Sequence, residues 1–267
     1  MAYYYDRHKN NKDDYKIALK PFVYVIFICA LIATQPDLGS AIIVFMISFS
    51  IFISVPLFPE VKKKTNKIIG ISILVGIIIV LLLFLNGKSG LYEYQLQRFN
   101  FLKPCQRYTE VGTGYQVCNS YIAINNGGFF GAGIGNSTQK YLYLPESYTD
   151  FIFPVIVEEL GVLVGILILL VYTYIIFRIL GIAKRCYSLS HSMICYGVAS
   201  YIFVHVFINL VGVLGLLPLT GVPLPFLSYG GSYALCLTIS LTIVQRINYE
   251  TSIMRQEEKL KNKINEI

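Results

Sequence analysis

Residues 67–86 read KIIGISILVGIIIVLLLFLN and carry one charge, at the first position. A helix of that length matches the roughly 30 Å hydrocarbon core of a bilayer, and so apolar a segment has few other folded outcomes. Five more apolar runs accompany it: 21–34, 39–57, 151–177, 193–217 and 229–247, the first of them short for a span. Only 14% of the 267 residues are charged and 55% are hydrophobic. A soluble domain carries about 25% charge. The mean hydropathy of +0.60 points the same way. The expected fold class is all-α: a polytopic transmembrane helical bundle forming one integral membrane domain. It would carry a large outer loop over 87–150, re-entrant segments and a cytoplasmic tail over 248–267.

Positive charge gives the expected orientation, because Lys and Arg flank apolar spans on the cytoplasmic side. With a cytoplasmic N-terminus, 17 of the 22 Lys and Arg fall on the inner side and five on the outer: Lys88, Arg98, Lys103, Arg107 and Lys140. Six spans with both termini in the cytoplasm preserve this asymmetry. The loop 87–149, the loop 218–228 and the break at Gln35–Gly39 then share the outer face. Irregular backbone near a membrane persists only where protein buries it or water reaches it, so these segments point to an outward-facing cavity.

The net charge of +7 does not make the chain a nucleic-acid binder, because its cations sit beside apolar runs. The polar opening MAYYYDRHKNNKDDYK lacks the apolar core of a signal peptide. Of six cysteines, Cys29, Cys195 and Cys236 fall in apolar runs and Cys186 in a short basic loop. Cys105 and Cys118 share the long outer loop and are free to pair, though nothing in the sequence requires it. No CxxC spacing suggests zinc. His191 and His205 stand alone and read as packed side chains.

Asp150 stands where the long loop re-enters the bilayer, in YLPESYTDFIFPVIVEELG, with Glu158 and Glu159 about 12 Å further along a helix. An ionisable group at a membrane is a functional candidate. The competing readings are that Thr149 or Asp150 caps the next helix, and that the glutamates pair with Arg98 or Lys140. Arg98, Lys103, Arg107 and Lys140 would suit an anionic ligand, phosphate or pyrophosphate above all, or else contact lipid headgroups. The cluster NNGGFFGAGIGNS (125–137) lacks the strand and helix context of a nucleotide-binding loop and reads as tight turns. The segment LLPLTGVPLPFLSYGGS (216–232), rich in Pro and Gly, is either a rigid turn or a re-entrant loop with Ser228 and Tyr229 facing the cavity.

Several of these segments together resemble one family. QPDLGSA (35–41), YQLQRFNFLKP (94–104), GTGYQVCNSYIAINNGGFFGAGIGNSTQKYLYLPESYTDFIFPVIVEELG (112–161) and LGLLPLTGVPLPFLSYGGS (214–232) are similar to signatures of the SEDS proteins (FtsW, RodA and SpoVE), in family order. The resemblance implies a peptidoglycan glycosyltransferase that polymerises lipid II outside the cytoplasmic membrane beside a class B penicillin-binding protein. It implies that Asp150, in the TDFIF motif, is the essential carboxylate. Candidate substrate-binding residues are Asp37, Arg98, Gln116, Ser120, Lys140, Glu159, Ser228, Gly230 and Gly231. No definite cofactor is implied, and a divalent cation stays open. Membrane lipids are expected partners and nucleic acid is not.

The chain departs from the family at Tyr148, where histidine is usual, and at Asn119-Ser120, where the pair is usually Gln-Ser. The family has about ten spans against six here, so the expectation is an N-terminally truncated chain lacking the QPSE…K segment. The motif GIGNSTQKYLYLPE and the final RINYE lean towards the division branch; TGVPLPFLSYGG is shared with the elongation branch. A lipid II flippase and a truncated, non-catalytic remnant are the alternatives.

Overall fold

The protein's structure is a computed structural model that describes residues 1–8, 15–34, 38–55, 63, 67, 70, 104–107 and 113–265. The expected span 67–86 therefore lies almost wholly outside the described residues, as do Asp37, Arg98 and Lys103. No strand occurs among the described residues. The helices are α1 (Ala2–Arg7), α2 (Tyr15–Thr34), α3 (Leu38–Ile53), α4 (Thr113–Gly127), α5 (Gln139–Leu142), α6 (Ile152–Leu160), α7 (Val162–Ala183), α8 (Leu189–Val213) and α9 (Gly231–Asn265), with a 3-10 turn at Pro104–Arg107.

Among the described residues two helices, α7 with 22 residues and α8 with 25, are long and apolar enough to cross a membrane. At 1.5 Å per residue they reach about 33 and 38 Å, enough for the hydrocarbon core with some tilt. The apolar stretches of α2 (Leu19–Ile32) and α3 (Gly39–Ile53) are shorter. Helix α8 sits at the centre and packs against α1, α3, α7 and α9. Half of its apolar length is buried, whereas α7 turns most of its surface outward.

The largest core joins Phe153 and Val157 of α6, Tyr172 and Ile179 of α7, Cys195 and Ile202 of α8, Leu224, and Leu237 and Val244 of α9. At the far end, Tyr5 of α1 packs with Phe22, Phe52, Val55 and Met193, and Phe22 meets Phe52 edge-on at 5.1 Å. A third core lies beneath the long loop and gathers Val117, Leu144, Phe151, Val155, Val213 and Leu219.

The apolar run 151–177 is two helices rather than one. Gly161 separates α6 from α7 with φ 87° and ψ 165°, backbone territory open almost only to glycine. Pro154 lies in the first turn of α6, where its missing N–H costs little. The spanning helix therefore begins at Val162 and runs on to Ala183. Helix α9 continues unbroken from Gly231 through the charged tail, 35 residues in all. Its lower half lies beside the 184–188 turn, where the Tyr187 hydroxyl donates to Glu258 at 2.5 Å and Arg255 donates to the Arg185 carbonyl at 3.4 Å.

Candidate functional site

Asp150 is half-buried at the end of the turn that leads into α6. It does not cap that helix: the N-cap is Phe151, which makes no side-chain cap bond. Thr149 is occupied elsewhere, its Oγ1 donating to the carbonyl and carboxylate of Glu146 at 3.2 and 2.9 Å. The backbone of this turn is held by residues far along the chain. The carbonyls of Tyr148, Thr149 and Asp150 each accept a hydrogen bond from a distant part of the chain. The Tyr229 amide donates to Tyr148 at 2.8 Å. The Ser228 Oγ donates to Thr149 at 2.6 Å. The Asn209 Nδ2 donates to Asp150 at 2.8 Å.

The clasp is tied into its own elements. Asn209 Nδ2 also donates to the Val222 carbonyl at 2.8 Å, and Ser228 Oγ accepts from the Leu224 amide at 2.7 Å. Burial of Asn209 on α8 makes both bonds matter, because an unmet carbonyl there has no water to turn to. Gly221 lies beneath the carboxylate. A Cβ added at that position would approach Asp150 Oδ2 to 3.2 Å, and its φ of +72° disfavours other residues. The proline-rich segment is thus a shaped floor for Asp150, which its composition of turn-forming residues permits and a continuous helix would not.

The two glutamates of α6 are structural at this joint. Glu158 is fully buried. Its carboxylate accepts from Ser137 Oγ, Thr138 N and Oγ1 at 3.3 and 3.1 Å, Gln139 N at 3.3 Å and Asn126 Nδ2 at 3.3 Å. It ties α6 to α4 and to the start of α5. Glu159 pairs with Lys140 at 2.5 Å. That hydrogen bond, more than any other influence, holds the Lys140 ammonium above its ordinary pKa.

The glycine cluster joins the same structure. The amides of Ala132 and Gly133 donate to the carbonyls of Glu158 and Glu159 at 2.9 and 3.0 Å, closing the end of α6. The carbonyls of Gly128 and Phe129 accept from Val162 and Leu163 at 2.9 and 3.4 Å, opening α7. The first amides and last carbonyls of a helix have no partner inside it, and one loop here serves both ends of the break. Side chains at Gly127, Gly131 or Gly161 would collide with backbone across this contact.

Among the other sequence candidates, Ser120 is buried and donates to the Val213 carbonyl at 2.9 Å, joining α4 to α8. Gln116 is half-buried on α4, and Gly230 and Gly231 lead into α9. Asp150 and Ser228 meet through Thr149, while Lys140 and Glu159 meet each other. Cys105 and Cys118 form a disulfide between the Pro104–Arg107 turn and α4. Among the described residues, no group of three or more His, Cys, Asp or Glu could hold a metal ion. Asn209 and Gly221 were not among the candidates. The signal for Asn209 was an amide inside the apolar stretch IFVHVFINLVGV.

An all-α bundle with two helices of spanning length, and one carboxylate held between a long loop and a Pro/Gly segment, defines a helical membrane protein with a polar site at one end. More narrowly, the chain belongs to the FtsW/RodA/SpoVE family: residues 1–253 match its model, described as a cell cycle protein. A probable peptidoglycan glycosyltransferase FtsW of Bacillus subtilis is 40% identical over 90% of this chain and 58% of its own length. A Coxiella burnetii protein of the same name is 35% identical over 94% of this chain and 65% of its own. The chain thus spans about 58 to 65% of the length of these relatives. The fold matches a chain from a solved peptidoglycan synthase complex with a TM-score of 0.67, at 24% identity, covering 90% of this chain and 63% of that one.

Proposed function

We propose that this protein is a peptidoglycan glycosyltransferase that polymerises lipid II, with Asp150 as its general base. The observation that carries the reading is the clasp on Tyr148, Thr149 and Asp150. It presents one carboxylate, with its backbone fixed by three hydrogen bonds, at the end of a membrane bundle. The donor sugar is α-linked to a lipid pyrophosphate and the product bond is β-1,4, so the anomeric carbon inverts. In one displacement the Asp150 carboxylate takes the proton of the acceptor 4-hydroxyl. The oxygen then bonds to the anomeric carbon, and the lipid pyrophosphate leaves with the electrons of its C–O bond.

Arg98 is the proposed partner of the leaving pyrophosphate, which gains charge as the bond breaks. Lys140 already shares its charge with Glu159, so its part is to hold α5 against α6 beside the substrate. Asp37, Gln116, Ser228, Gly230 and Gly231 complete the proposed substrate-binding set, and Ser120 supports it from α4.

The site belongs outside the cytoplasm, with six spans and both termini inside. The positive-charge asymmetry supports this arrangement. So does the Cys105–Cys118 disulfide, because such bonds persist in oxidising compartments. A class B penicillin-binding protein is the proposed partner that crosslinks the strands, and division is the proposed setting.

The test is glycan synthesis from purified lipid II, by the protein with and without a class B penicillin-binding protein. Asp150→Asn keeps the size and removes the base, and is expected to lower the rate by about 100-fold or more without loss of folding. Full activity in that variant would remove Asp150 from the reaction.

A further inference from the structure

The glycine loop carries three large apolar side chains that are exposed among the described residues. Phe129 is 71% exposed, Phe130 85% and Ile134 82%. Exposed apolar groups cost little singly, but three on one tight loop form a patch that calls for an occupant. We propose that this loop is a membrane anchor that inserts Phe129, Phe130 and Ile134 among the acyl chains of the leaflet on the Asp150 side. The inference rests on the reading of α7 as a membrane span.

Continuity selects lipid as the occupant. The Gly128 and Phe129 carbonyls accept from the first two amides of α7, so the loop lies level with that helix's first turn. Leu163, Ile166 and Leu170 of α7 are exposed at the spacing of one helical face. The loop thus joins α7 at the end where this outward stripe begins.

Polarity agrees. From Asn125 to Gln139 the chain has no charged side chain. Backbone entering lipid must find its hydrogen bonds within the protein. The amides of Gly128, Gly131, Ala132, Gly133 and Asn136 all donate to protein carbonyls. The loop thus arrives with much of its backbone already paired, and the positive φ angles at Gly128, Gly131, Gly133 and Gly135 set its shape in advance. Little conformational freedom is then lost on insertion.

The chain has no tryptophan, so one introduced indole reports alone. The experiment places Phe130→Trp and, separately, Leu170→Trp in phosphatidylglycerol–phosphatidylethanolamine vesicles containing lipids brominated near the carbonyl end or at mid-chain. The expected result is quenching of Phe130→Trp by about twofold or more with the shallow bromine and less with the deep one, and the reverse order for Leu170→Trp. Water-like emission without quenching at Phe130→Trp, with Leu170→Trp quenched, overturns the anchor and leaves the span intact. Blue-shifted but unquenched emission at Phe130→Trp means that a protein segment covers the loop, and also overturns it. An unquenched Leu170→Trp removes the spanning reading of α7 and the anchor with it.

Discussion

Removing the Asn209 amide strips a donor from two carbonyls at once, that of half-buried Asp150 and that of buried Val222. Asn209→Leu preserves size and apolar packing but is expected to cost about 2 kcal/mol or more of stability, since each carbonyl keeps its desolvation cost. Polymerisation is expected to fall about tenfold or more although Asp150 is untouched, because a small displacement of a reacting group lowers rate steeply. Thermal melting in detergent and glycan yield read the two effects. Normal activity in a melted-down variant would show that the clasp serves folding alone. At this scale the sequence marks Asp150 as a carboxylate at a membrane boundary. It did not display what holds it. The partners are main-chain carbonyls, which no side-chain pattern marks, and the donors lie some 60 to 80 residues away.

The break between α6 and α7 is a property of elements. Apolar periodicity alone made 151–177 one run, because neither Gly161 nor the preceding glutamates interrupts hydrophobicity for long. The break depends instead on close backbone approach from residues 127–133, which is tertiary information. Gly161→Ala is expected to cost about 2–3 kcal/mol, from its backbone conformation and from the collision with Phe129 and Gly131. Gly181→Ala, on the same helix with open space around it, is the comparison and is expected to be neutral or slightly stabilising. Limited proteolysis of the two variants measures the difference; equal resistance would mean that the loop contact yields easily. The glycine cluster was legible as turns, and the glutamates as possible structural partners, since Lys140 was already a candidate for the pair that Glu159 makes.

Across the whole molecule, composition carried the fold class, because a charge content of 14% leaves few alternatives to a helical membrane bundle. Cysteine pairing was not decidable from spacing, and the structure joins Cys105 to Cys118 while Cys29, Cys186, Cys195 and Cys236 are free. Alkylation of the denatured protein is expected to add four labels before reduction and six after it. Closing a loop with a sequence separation of 13 is expected to contribute about 3 kcal/mol. A melting temperature unchanged by reductant would show that the segment around Cys105 and Cys118 holds its shape without the bond.

The clasp also orders events in time. Asp150 is translated well before Asn209, Ser228 and Tyr229, the residues that grip its turn. A nascent chain on the ribosome therefore has its carboxylate but not the frame that aims it. On the proposed reading of Asp150, a chain stalled or cut before residue 229 lacks the donors of Ser228 and Tyr229 and is expected to be inactive.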